Sequence, residues 1–139
     1  MSDPLYRKDL LRLAADAHGA GRLASPDASG FAYNPACGDK VVVDLGLSGG
    51  CILEFAHETK ACVLAQASAA ILGANLKGAD RATVEGLHRR VAEMLESGPA
   101  PSSPFDLYSA FSGAVEYRSR HRCVLLPIEA VLDALAKTG

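Results

Sequence analysis

Lys40-Val41-Val42-Val43-Asp44-Leu45-Gly46-Leu47, then Ser48-Gly49-Gly50, then Cys51-Ile52-Leu53-Glu54-Phe55-Ala56-His57-Glu58 is the stretch that decides the fold. Two runs rich in β-branched and apolar residues flank a short glycine-rich turn, which is the pattern of an antiparallel hairpin. Side chains alternate along a strand, so Cys51, Leu53, Phe55 and His57 share one face and Ile52, Glu54, Ala56 and Glu58 the other. Cys51 and Phe55 are expected to face the core, and His57, beside Glu58 at the strand end, to face solvent. A lone hairpin is marginal in water, so a third strand is required. The candidates are the segment before Pro4 and the stretch Val115-Glu116-Tyr117.

Outward from the hairpin the pattern changes to helical. Leu10, Leu11, Leu13, Ala14 and Ala17, with charged residues between them, predict an amphipathic helix from about Leu5 to Ala17, with Pro4 well placed at its start. Gly19, Gly21, Ser25, Pro26, Ser29 and Gly30 then predict an irregular, exposed connection leading to a turn at Asn34-Pro35. After the hairpin, Val63 to Leu72 is rich in alanine and leucine with small residues all round, the pattern of a buried helix beginning beside Cys62. Asp80 is the expected N-cap of a further helix carrying the stripe Val84, Leu87, Val91, Met94 and Leu95. The proline-rich run Gly98 to Pro104 ends it, Phe105 to Phe111 is a short helix, and a last helix is expected to begin near Pro127, just after Cys123. His18 and His88, on helices amid polar neighbours, are expected to face solvent.

The 139 residues suit one domain, 1–139, with a core large enough to fold without disulfides or metal. A net charge of −2 gives no basic stripe for nucleic acid and no polybasic patch for a membrane surface. No stretch approaches the roughly 20 apolar residues of a membrane span, and the first residues lack the basic-then-apolar order of a leader. The expectation is a cytoplasmic protein with no nucleic-acid or membrane partner, whose four cysteines are free thiols.

Asn34-Pro35-Ala36-Cys37-Gly38-Asp39 holds a thiol and a carboxylate two residues apart in a tight turn. Such a pair is suited to binding a metal ion, and Cys62 and Cys123, each next to an expected helix start, are candidates to join it. A cysteine at a helix N-terminus also has its thiolate favoured by unpaired backbone N–H groups, which would make Cys62 reactive. Spacing alone leaves two readings open, because there is no short Cys-x-x-Cys knuckle and free cysteine is commonly buried as a small apolar residue. Cys51 fits the second reading. A Cys/His hydrolase with Cys62 as nucleophile and His57 or His121 as base is a rival that leaves Cys37-Gly38-Asp39 unexplained. Gly46-Leu47-Ser48-Gly49-Gly50 lacks the following helix of a phosphate-binding loop.

The contexts of the three thiols separate these readings. Asn34-Pro35-Ala36-Cys37-Gly38-Asp39, Ala61-Cys62-Val63-Leu64-Ala65-Gln66-Ala67-Ser68-Ala69 and Arg120-His121-Arg122-Cys123-Val124-Leu125-Leu126-Pro127 resemble, in order and spacing, the cysteine motifs of the IscU/SufU/NifU N-terminal-like iron–sulfur cluster assembly family. The resemblance runs from Leu5 to Ala136 and is closest to SufU-type members, given the long interval between Cys62 and Cys123. It implies an α+β fold: a small antiparallel sheet of about three strands with helices packed on one side. It also implies that Cys37, Asp39, Cys62 and Cys123 hold a zinc ion or a 2Fe-2S cluster. Cys62 or Cys37 would accept a persulfide sulfur, with Arg120 beside the ligands. The implied partners are a cysteine desulfurase and recipient apo iron–sulfur proteins, and the implied role is a scaffold or sulfur acceptor more than an enzyme in its own right. Arg122 stands where IscU-like members place a histidine before the third cysteine, and His18-Gly19-Ala20-Gly21 replaces the usual ending of the first helix. His121, two residues from Cys123, is a further candidate neighbour of the site. The alternative is a zinc-stabilised interaction module in which no sulfur moves.

Overall fold

In the computed structural model, which describes residues 8–16, 18–36 and 38–137, the hairpin is the centre of a three-stranded antiparallel sheet. Strands β2 (Asp39–Ser48) and β3 (Cys51–Lys60) form it, turning at Gly49 and Gly50, both at positive φ. The third strand is β1 (Ala28–Asn34), paired to β2 from Ala28↔Leu45 to Asn34↔Asp39. This corrects the expectation that the strand would come from Val115–Tyr117, which is turn; the segment before Pro4 lies outside the described residues. β1 was unreadable because its inward face is Ala28, Gly30, Ala32 and Asn34, without the large apolar residues that mark a strand. The reason is close packing. A Cβ on Gly30 would run into the carbonyl of Ala130 and the amide of Ala134, so helix α4 (Arg118–Ala136) rests directly on the strand backbone.

On the same face Val41, Val43 and Leu45 of β2 are fully buried, with α4 packed over β2 and α2 (Val63–Asn75) over β3. Helix α1 (Lys8–Asp16) packs on α2, and α3 (Arg81–Leu95) on α4; the expected Leu5 start and Ala17 end of α1 lie outside the described residues. Asp80 caps α3 as expected, accepting from the N–H of Thr83 at 2.9 Å. The last turn before α4 is a 3₁₀ helix, Asp106–Ala114. The outer sheet face carries half-exposed Phe31 and Tyr33, so the helices lie on one side as the resemblance implies.

Three further expectations change. Helix α4 begins at Arg118 rather than near Pro127, which sits inside it, and Cys123 is therefore helical. Burial of Cys123, Val124, Leu126, Ile128, Ala130 and Val131 along this stretch outweighs the one hydrogen bond that Pro127 cannot donate. In β3 the pairing shifts so that Leu47 meets Ile52 while Gly46 meets Glu54, leaving Leu53 as the extra residue of a bulge. Ile52 is thereby turned into the core, and Cys51 is half-buried opposite Ser48 instead. Finally, the 18–22 segment is no loose connection: Gly21 N–H donates to His57 O (2.8 Å) and His57 N–H to Gly19 O (2.9 Å), covering the β3 edge. His57 is consequently buried, its ring nitrogens 3.0 Å from His18 O and 2.8 Å from Thr59 Oγ1, and burial lowers its pKa from 6.5. His18 is exposed as expected, whereas His88 is half-buried, 3.3 Å from Glu129.

Arg22 ties the same segment down. Its guanidinium makes two bonds to the buried carboxylate of Asp44 (2.6 and 3.0 Å), which also accepts from Leu23 N–H and Ser29 Oγ. The Arg22 bond, aided by Ser29 and Leu23, holds Asp44 down to about 2 against the opposing effect of burial.

Candidate metal centre

The sheet end opposite the Gly49-Gly50 turn is where the motifs meet. Asn34 closes the loop after β1: its side-chain Oδ1 accepts from Ala36 N–H (3.1 Å) and its carbonyl from Gly38 N–H (2.8 Å). Gly38 sits at φ 76°, a left-handed conformation that disfavours any side chain. These bonds bracket Cys37, which itself lies outside the described residues. The next residue, Asp39, opens β2 in the same alternation as Val41 and Val43, so its carboxylate points inward beneath the helices and is only 7% exposed.

The chain leaves β3 at Lys60 and enters α2 with Cys62 as the N-cap residue, in extended conformation. Gln66 fixes this entry by donating from its amide to Ala61 O at 2.9 Å and from its backbone to Cys62 O at 3.0 Å. Cys123 arrives from the other side, fully buried in α4. The result is that one donor atom each of Asp39, Cys62 and Cys123 lie within 4.8 Å of one another. Arg120, half-buried, precedes Cys123 by three residues on α4 and so shares its side of the helix.

The electrostatics of the cluster are set by its members. The hydrogen bond from Cys123 is the main cause that lowers the Cys62 thiol from 9.0 to about 7, helped by the N–H of Ala65, while burial and Asp39 push the other way. The Ala65 contact falls short of a true capping hydrogen bond, so the helix end assists without being satisfied by the sulfur. Asp39 Oδ2 is buried with no hydrogen-bond partner among the described residues, which costs free energy unless something occupies that oxygen. Two thiols and an orphaned carboxylate oxygen are a donor set for zinc or iron. Ligand atoms around a tetrahedral zinc stand about 3.8 Å apart given Zn–S bonds of about 2.3 Å, a spacing the 4.8 Å limit admits. The residues present fit the group.

Other candidates are placed elsewhere. Cys51, near the hairpin turn, does not join the cluster. His121 spends Nε2 on the carbonyls of Ala114 (3.1 Å) and Val115 (2.9 Å), and its Nδ1 is 3.7 Å from Glu96. With His57 also committed to a carbonyl, the partners that set the acidity of Cys62 include no histidine, as a Cys/His nucleophile pair would need. Asn34, expected at a turn, and Gln66, quoted in a motif without a role, are the residues that shape the loops carrying the thiols. Nothing local to Gln66 reveals its reach to Ala61.

Among known proteins, the sequence is 26% identical over 106 residues to the zinc-dependent sulfurtransferase SufU of Bacillus subtilis (strain 168), an overlap of 75% of this chain and 71% of that one. The solved structure of a nitrogen-fixing NifU-like protein (N-terminal) from Brucella abortus is 35% identical and superposes with a TM-score of 0.92, over 97% of this chain and 94% of the other. A putative iron–sulfur cluster assembly scaffold protein for the SUF system from Fervidobacterium islandicum AW-1 shares the fold at a TM-score of 0.87 with 19% identity, covering 97% and 99%. The profile of the NifU-like N terminal domain matches residues 5–124. The chain belongs to the NifU-like N terminal domain family.

Proposed function

We propose that the protein takes sulfane sulfur from a cysteine desulfurase and builds or passes on an iron–sulfur unit at Cys37, Asp39, Cys62 and Cys123. The observation that carries this reading is the meeting of Asp39, Cys62 and Cys123 donor atoms within 4.8 Å around a carboxylate oxygen left without a partner. The kinship with a zinc-dependent sulfurtransferase supports it. A zinc ion held by these residues would hold the thiols together and supply positive charge that lowers their pKa.

The chain's own residues supply the rest. Cys62, half-buried and lowered toward neutrality, is the more reactive of the two described thiols in the cluster; Cys123 is fully enclosed. A Cys62 or Cys37 thiolate attacks the terminal sulfur of the desulfurase persulfide, and the desulfurase thiolate leaves. Asp39, an oxygen donor among sulfurs, is the ligand most easily exchanged, and Arg120 can balance the negative charge of an incoming persulfide. The partners are the desulfurase and apo iron–sulfur proteins, and the setting is the cytoplasm. Among the described residues no helix is long and apolar enough to cross a membrane.

Elemental analysis and the visible spectrum of anaerobically purified, reconstituted protein separate the two versions. Stoichiometric zinc with no chromophore supports sulfur transfer and overturns scaffolding; bound iron and sulfide with absorbance do the reverse. An Asp39→Ala variant is expected to lose metal or cluster faster while still unfolding cooperatively. If chelation unfolds the protein and no sulfur is accepted, the site is a structural staple and the proposal fails.

A further inference from the structure

Helices α2 and α4 pack against one another behind the cluster, and the α2 residues between Leu64 and Leu72 are almost all buried. Amid them lies a polar tie. The Ser68 hydroxyl donates to the carbonyl of Val124 at 2.7 Å, and Tyr108 from the 3₁₀ helix stands 2.7 Å from the same hydroxyl. Since a carbonyl only accepts, the Ser68 proton is used there and the Tyr108 hydroxyl must be the donor to Ser68.

A helical serine ordinarily folds its hydroxyl back on a carbonyl of its own helix. Ser68 instead crosses to α4 and lands on the residue that directly follows Cys123. That stretch of α4 is where Pro127, lacking an N–H, cannot donate to the Cys123 carbonyl, so the local helix has lost one of its own restraints. Ser68 is less than two turns beyond Cys62 on α2. The tie therefore spans the two helices immediately behind the two thiols, and both of its hydroxyls are fully buried, where a polar group is retained at a cost.

We propose that Ser68 and Tyr108 are positioning residues that lock the registry of α2 against α4 and so fix the separation of Cys62 and Cys123. The claim about metal rests on the function proposed above; the claim about thiol spacing does not. Loss of the tie lets the thiols drift from the spacing that ligation requires, in the way that residues supporting a metal's ligands control affinity.

The test compares wild type with Ser68→Ala, Tyr108→Phe and a control, Val84→Ala, which opens the buried core in α3 near the opposite end of the sheet. Zinc affinity is measured by competition with a chromophoric chelator. In metal-free protein, the Cys62–Cys123 disulfide cross-link formed on mild oxidation with diamide, which reacts at the half-buried Cys62 and needs no reagent at the enclosed Cys123, is quantified by peptide mapping. Ser68→Ala is expected to weaken zinc binding by about tenfold or more and to lower the cross-link yield. Tyr108→Phe, close to isosteric and still able to fold if Ser68→Ala does not, should shift both in the same direction by less. Val84→Ala should lower thermal stability and leave both readouts unchanged. Wild-type affinity and cross-linking in both tie variants would overturn the proposal, as would an equal loss in Val84→Ala. If wild type takes up no zinc, the function proposed above fails, and the cross-link yield alone decides the positioning claim.

Discussion

Cys62 is where the chemistry of the site is decided. Its thiol is pulled toward neutrality mainly by the Cys123 hydrogen bond and held back by burial and by Asp39, so neighbours and not the helix end alone set its reactivity. In metal-free protein the alkylation rate of Cys62, followed by peptide mapping, should rise with a midpoint near pH 7. Cys123→Ala should move that midpoint up, since it removes the largest stabiliser of the thiolate, and Asp39→Asn should move it down. A midpoint unaffected by either change would mean that these neighbours do not govern the thiol. The local sequence made Cys62 suspect through its helix-start position. It could not show that the controlling group would be a cysteine from a distant helix.

At the scale of elements, the close approach of α4 to β1 is the constraint that brings Cys123 to the sheet end. Gly30→Ala would place a methyl group against the backbone of Ala130 and Ala134. The helix would have to lift, at a cost of about 3 kcal/mol or more for overpacking against rigid backbone. Chemical denaturation should report that loss, and zinc affinity should fall with it because Cys123 rides on α4; a neutral substitution would contradict this packing. The same feature explains what the sequence concealed. The hairpin was legible because Val41, Val43 and Leu45 declare a buried face, whereas β1 presents Ala, Gly and Ala inward and reads as a loop. Pro127 misled in the opposite sense: its preference for a first turn yielded to the burial of Leu126, Ile128 and the apolar residues a turn away on either side.

The core of the whole molecule runs from the sheet face through α2, α3 and α4 to Tyr108 and Phe111, and of the cluster only Cys123 lies within it, with Cys62 packed against its edge. Cooperative thermal unfolding should therefore survive chelation, with metal raising the Tm by selective binding to the folded state. Acid should weaken the fold in a defined way. Asp44 holds its proton less tightly folded than unfolded, so its contribution is complete above about pH 4 and is lost as pH falls toward 2. His57, also lowered, works against stability as pH falls below 6.5, where the unfolded chain takes up a proton more readily. Denaturation midpoints across pH 2 to 7 should show both phases, and Asp44→Asn should shrink the lower one, leaving the smaller share of Asp80 and Asp133, whose carboxyls are also held down. The motifs named Asp39, Cys62 and Cys123, whose donor atoms meet here, together with Cys37, which lies outside the described residues, while the orphaned oxygen of Asp39 and the tie behind the thiols emerge only when β2, α2 and α4 converge. The most direct test of sulfur acceptance is mass spectrometry of the intact and digested chain after anaerobic incubation with a cysteine desulfurase and cysteine. An added sulfur atom on Cys62 or Cys37, absent without cysteine, is the expected result; a chain that gains none, or gains it only on Cys51, would contradict sulfur acceptance at this cluster.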